Sequence, residues 1–188
     1  MEKRTLGQTG LEMTVIGFGA MTIGGIFGPV DDAKSIQTLH AAIDAGINFI
    51  DTSDAYGQGR SEEVIGKFLK ERSDRDGIII GSKGGNNMVT GVYDFSAEYI
   101  RGCVEGSLKR LGVDALDLYL LHNPTVDNLN AEDSFDLLDE FKAHLKLGVD
   151  EDDEFEGCYP LHAGGCSMNF TVGGKGVLGK DGGKPAPP

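Results

Sequence analysis

Apolar and polar positions alternate in blocks along this chain, and three apolar blocks end alike. Gly46-Ile47-Asn48-Phe49-Ile50 stops at Asp51, Ile78-Ile79-Ile80-Gly81-Ser82 at Lys83, and Asp117-Leu118-Tyr119-Leu120-Leu121 at His122. Short continuous apolar runs suit strands buried on both faces. Each run ends at a side chain able to do acid–base chemistry. The three ends lie 32 and 39 positions apart, about the size of one βα unit. A parallel sheet built from such units places all its strand ends on one rim, where α/β barrels keep their active sites.

The segments between the runs have helical period. Asp31 or Asp32 caps a helix carrying Ile36, Leu39 and Ile43, and Gly46 stops it. A second helix starts near Ser61 and carries Val64, Ile65, Phe68 and Leu69. Ser96 caps a third, with Ile100, Val104, Leu108 and Leu111 on one face and Gly112 at its end. A fourth runs through Phe135, Leu138 and Phe141. Ahead of these, residues 3–13 read as a hairpin turning at Gln8-Thr9-Gly10, and Val15-Ile16-Gly17-Phe18-Gly19 as a first core strand. The Gly- and Asn-rich stretch from Gly84 to Phe95 reads as a loop. Strand and helix alternate four times with no antiparallel signal after the first hairpin. That pattern means a parallel sheet covered by helices, curled toward a barrel by right-handed crossovers.

The character changes near Leu147. Asp150-Glu151-Asp152-Asp153-Glu154 is an acidic block, glycine becomes frequent, and the chain ends Pro185-Ala186-Pro187-Pro188. We expect two regions: 1–147, a partial barrel, and 148–188, a disordered tail in which Met168–Val172 is the single strand-like piece.

Composition narrows the function. A net charge of −13, with no basic stripe, argues against nucleic acid as a partner. No apolar run approaches a membrane span, and the polar start Met1-Glu2-Lys3-Arg4-Thr5 has no signal-peptide core behind it. Three cysteines, an odd number, fit reduced thiols in a cytoplasm. No metal site is expected. Cys158, His162 and Cys166 supply three soft ligands, but chance explains them better. Gly17-Phe18-Gly19 lacks the third glycine of a dinucleotide fingerprint, since Thr22 stands there. Gly174 to Lys180 fits a phosphate loop, but Asp181 replaces its Ser or Thr and no helix follows. Cys103 reads as a small core residue.

Five segments bear a family resemblance: Gly17-Phe18-Gly19-Ala20-Met21, Phe49 to Gly57 (Asp51-Thr52-Ser53-Asp54-Ala55-Tyr56 at its centre), Ser61-Glu62, Ile80 to Lys83, and Leu111 to Pro124. Together they resemble the N-terminal half of an aldo-keto reductase, over about residues 3–146. The resemblance implies a TIM-type (β/α) barrel, of which this chain holds the first four βα units and an N-terminal hairpin. It also implies NADPH as cofactor and reduction of a small carbonyl substrate to an alcohol. It makes Tyr56 the general acid, Lys83 and Asp51 its tuning pair, and His122 the group that orients the carbonyl. Gly19, Ala20, Met21 and Asp51 would meet the nicotinamide end. Elementary chemistry agrees. A cation beside a phenol favours the phenolate and strengthens the acid, and an imidazole N–H stabilises charge developing on the carbonyl oxygen.

A barrel takes about 250 residues, and its phosphate sites commonly use the loops after strands seven and eight. The chain is therefore expected to be truncated, to bind NADPH poorly alone, and to self-associate through exposed strand edges. An alternative stays open: a non-catalytic half-barrel acting as a binding or assembly module, or the non-functional product of a frameshift.

Overall fold

The computed structural model describes residues 1–7, 9–129, 136–138 and 140. In chain order its elements are β1 (Lys3–Thr5), β2 (Glu12–Thr14), β3 (Phe18–Gly19), α1 (Asp32–Asp44), β4 (Phe49–Asp51) and α2 (Arg60–Glu71). Then come β5 (Ile79–Gly84), β6 (Asn86–Asn87), β7 (Val92–Tyr93), α3 (Ala97–Leu111), β8 (Leu118–Leu121) and the short α4 (Val126–Leu129). Two 3₁₀ turns, Ala20–Gly24 and Arg75–Gly77, follow β3 and precede β5.

The centre is a parallel sheet in the order β3-β4-β5-β8. Its register sets Gly19 opposite Asp51, Asp51 opposite Gly81, and Lys83 opposite Leu120. The expected N-terminal hairpin forms between β1 and β2, closed where the Leu6 N–H donates to the Leu11 carbonyl at 2.9 Å. Asn48 ties it to the sheet. Its Oδ1 accepts from the Thr14 N–H at 2.7 Å, and its Nδ2 donates to the Glu12 carbonyl at 2.8 Å.

The helices start and stop as their caps require. Asp31, not Asp32, caps α1 by accepting from the Lys34 N–H at 3.1 Å. Asp32 instead pairs with Lys67 at 2.9 Å and with Arg60, and these bonds hold its carboxyl below the usual range. Ser96 caps α3, whose end is closed by the Gly112 N–H on the Leu108 carbonyl at 2.8 Å.

Alternation along the strands sorts their side chains. Ile50, Ile80, Tyr119 and Leu121 join Leu39, Val64, Ile65, Phe68, Ile100 and Leu111 of the helices in one buried cluster. Ser82 also faces the helices, donating to Glu62 Oε1 at 2.5 Å. Phe49, Asp51, Gly81, Lys83, Leu118 and Leu120 have the opposite parity and face the inner side. His122, one residue beyond β8, continues the inward set.

Two sequence expectations need correction. The first core strand is two residues long rather than five. Val15 and Ile16 are 49% and 58% exposed, and the Val15 N–H donates to the Glu2 carbonyl at 3.1 Å, extending the hairpin instead of the sheet. The stretch 84–95 is not all loop, because β6 and β7 pair antiparallel there. The Asn87 side chain makes that turn, accepting the N–H groups of Val89 and Thr90 at 3.1 Å each. Of the fourth helix, Leu138 is buried beside Leu137, while Phe135 and Phe141 lie outside the described residues. Residues 148–188, with the acidic block, Met168–Val172 and Cys158, His162 and Cys166, also lie outside them. No helix among the described residues is long and apolar enough to cross a membrane.

Helix α2 packs between α1 and α3, and Gly66 lets it approach α3 closely. A Cβ there would collide with the carbonyls of Arg110 and Leu111. Gly66→Ala should therefore cost about 1–3 kcal/mol, read as a lower urea midpoint. An unchanged midpoint would mean the helices part freely. Among the described residues β3 and β8 are each paired on one side only. Light scattering of the 188-residue chain at micromolar concentration should show dimers or larger species. A lasting monomer would contradict this.

Candidate active site

The inner parity of β4, β5 and β8 brings Asp51, Lys83 and His122 to one rim, and the loop after β4 carries Tyr56 over it. The Lys83 ammonium is the hub. It donates to Asp51 Oδ1 at 2.8 Å, to the Thr52 carbonyl at 2.8 Å and to Tyr56 Oη at 3.2 Å. An ammonium has three donors, and all three are used. Tyr56 Oη accepts in this bond, so its own proton remains free to be donated elsewhere.

Tyr56 is held by its backbone. Its N–H donates to the Ser53 carbonyl at 3.2 Å, and its carbonyl accepts the Ser61 N–H at 3.1 Å. The 3₁₀ turn after β3 presses against this loop. A Cβ on Gly24 would lie 2.6 Å from the Tyr56 carbonyl carbon, and Gly57, at φ +64°, sits against Gly24 in turn. Neither position has room for a side chain, so the approach that seats Tyr56 depends on both glycines.

The His122 ring stands edge-on to the Tyr56 ring, with centroids 5.7 Å apart and planes at 87°. Burial, and next the Lys83 charge, lower its pKa from 6.5 to about 4, so His122 is neutral at physiological pH. Its Nδ1 is 2.9 Å from Ser53 Oγ.

The four residues read as nicotinamide contacts cluster beside this group. Gly19, the last residue of β3, pairs with Asp51 and is exposed, and a Cβ there would meet nothing within 4 Å. Met21 is half-buried. Ala20 is fully buried, with its carbonyl accepting from Ser61 Oγ at 3.0 Å. Gly19, Met21 and Asp51 thus leave open ground at the rim, while Ala20 has its side chain in the core. Among the described residues no group of three or more His, Cys, Asp or Glu is placed to hold a metal ion.

Residues 15–147 match the model of the Aldo/keto reductase family. The chain belongs to that family. Aldo-keto reductase YhdN of Bacillus subtilis (strain 168) is 38% identical over 174 residues, which cover 86% of this chain and 52% of YhdN. The Schizosaccharomyces pombe aldo-keto reductase yakc, whose name specifies NADP(+), is 40% identical over 111 residues, 57% of this chain and 33% of its own. The holo form of an aldo-keto reductase from Bacillus halodurans superposes with a TM-score of 0.68 at 36% identity, covering 77% of this chain and 47% of that one. The four parallel strands are accordingly part of an aldo-keto reductase (β/α) barrel. The chain spans about half the length of the curated relatives it matches.

Sequence reasoning reached Asp51, Tyr56, Lys83 and His122 but not Ser53 or the Thr52 carbonyl. Both lie inside the Asp51–Tyr56 motif. A hydroxyl at Ser53 hints at a local turn, and the Ala55 N–H does donate to it at 3.1 Å. Its contact with His122, 69 positions away, carries no local signal.

The His122 shift makes stability depend on pH. The unfolded chain takes up the proton near pH 6.5 and the folded chain near 4. Acidification through that window loads protons onto the unfolded state first. This contribution is therefore fully present above the window and falls as pH drops through it, by about 3 kcal/mol at most. Urea unfolding at about pH 7.5 and about pH 5 should show a larger acid loss in the unsubstituted chain than in His122→Gln. Equal losses would refute the burial of a neutral His122 as the cause.

Proposed function

We propose that this aldo-keto reductase chain carries the proton-transfer half of an NADPH-dependent site that reduces small aldehydes or ketones to alcohols. One observation carries the reading: a fully bonded Lys83 ammonium donates to Tyr56 Oη and leaves the phenolic proton free. Tyr56 gives that proton to the carbonyl oxygen. Lys83 stabilises the negative charge left on Tyr56, and Asp51 holds Lys83 in place. Neutral His122 donates an N–H to the same oxygen and fixes its position. The open ground at Gly19, Met21 and Asp51 fits the nicotinamide end of the cofactor. When bound, NADPH supplies the hydride that adds to the carbonyl carbon.

The name of the yakc relative supports the choice of NADP. In this reading residues 1–147 are the barrel portion and 148–188 a separate tail, the protein is cytoplasmic, and its partners are a small carbonyl substrate and further copies of itself. Full-length activity needs more of the barrel than the described residues hold. The loops after strands seven and eight commonly grip phosphate, and positioning of this kind can be worth many powers of ten.

The test is NADPH consumption with 4-nitrobenzaldehyde, beside Tyr56→Phe. We expect turnover far below that of YhdN, falling to background in Tyr56→Phe, since a positioned general acid contributes about 10²–10⁴-fold. Equal turnover in the two proteins would remove Tyr56 from the mechanism. No turnover in either would favour the non-catalytic half-barrel.

A further inference from the structure

The catalytic roles proposed above leave one contact unused, the 2.9 Å approach of Ser53 Oγ to His122 Nδ1. A neutral imidazole holds one proton on one of two nitrogens, and the position decides what the ring can do. With the proton on Nε2, the ring can donate to a carbonyl oxygen. With it on Nδ1, Nε2 offers a lone pair, which repels that oxygen.

We infer that Ser53 is a positioning residue that donates its hydroxyl proton to His122 Nδ1 and so keeps the ring proton on Nε2, facing the reaction space. Three observations support the assignment. The first is competition for the single Ser53 hydroxyl proton. The Lys83 carbonyl and Asp54 Oδ1 are alternative acceptors, both at 3.2 Å, and His122 Nδ1 is closer at 2.9 Å. An imidazole nitrogen is also much more basic than a peptide carbonyl. Secondly, the Ala55 N–H occupies one Ser53 lone pair at 3.1 Å, which orients the hydroxyl and turns its proton away from that N–H. The third concerns Nε2. Among the described residues it has no protein hydrogen-bond partner, and it is absent from the buried unpaired polar atoms, which are Ser107 Oγ and Tyr119 Oη. None of the described residues therefore competes for Nε2, as a donor to a substrate requires. The titratable groups around the ring are Lys83 and Tyr56, with Asp54 beyond Ser53; burial raises the Asp54 carboxyl pKa.

Ser53 thus joins two parts of the site. Its carbonyl seats Tyr56 through the backbone, and its hydroxyl sets the tautomer of His122. Substitution by alanine removes the second function and keeps the first. The consequence for catalysis rests on the carbonyl-reduction reading, but the tautomer is a property of the resting chain.

The experiment is therefore NMR of the full chain labelled with ¹⁵N-histidine, with His122→Gln to assign the ring. The unsubstituted chain and Ser53→Thr should show His122 with Nδ1 bare and Nε2 protonated, as one fixed tautomer. Ser53→Ala should show a mixture of tautomers. Its titration midpoint should rise by about half to one pH unit, because a hydrogen bond of about 1 kcal/mol to the neutral ring is lost. A purely structural role would move neither readout. A protonated Nδ1 in the unsubstituted chain would overturn the inference without any variant. So would a Ser53→Ala protein, folded by circular dichroism, whose tautomer and midpoint are unchanged. Failure of the NADPH assay would leave this result standing, and the reverse also holds.

Discussion

A charged ammonium tucked under a loop is tolerated only when its donors are satisfied. The Lys83 side chain is 14% exposed, and its three bonds reach three separate positions: Asp51 at the end of β4, Thr52 just beyond it, and Tyr56 in the following loop. Satisfying that one group therefore sets the spacing of β4 from β5, the direction in which the chain leaves β4, and the height of the phenol above the sheet. The rest of the site follows. Tyr56 faces His122, Gly24 closes against the Tyr56 loop, and β3 ends beside Asp51.

A second buried charge lies back to back with the first. Glu62 is fully buried, accepting from Ser82 on one oxygen and from Arg110 Nε at 2.7 Å on the other. Ser82 and Lys83 are neighbours on β5, so alternation sends one toward the helices and the other toward the site. The same strand is pinned on both faces by a hydrogen-bonded charge. Breaking such a pair leaves a charge buried without a partner, a large penalty. This ties the α2–α3 packing to the placement of Lys83.

Much of this was legible in the sequence, for a physical reason. Strand and helix periods, the caps at Asp31 and Ser96 and the stop at Gly112 are local, set by residues a few positions apart. Parallel strands share one end, so a polar residue closing each of three apolar runs implies a common rim. Asp51, Lys83 and His122 could be grouped on that ground, and Tyr56 joined them through the family motif.

What tertiary structure decided depends on residues far apart in the chain. Whether Val15 and Ile16 join the sheet depends on how long the hairpin continues, and the Val15 N–H, bonded to Glu2, continues it. The proton on His122 depends on Ser53, 69 residues earlier and brought within 2.9 Å by the β4–β5–β8 register. The sequence by itself determined the kinds of side chain, their order and the periodicity that aligns them. The fold decided distances, burial and tautomer, because these arise from contacts between segments whose separation in the chain no local pattern encodes.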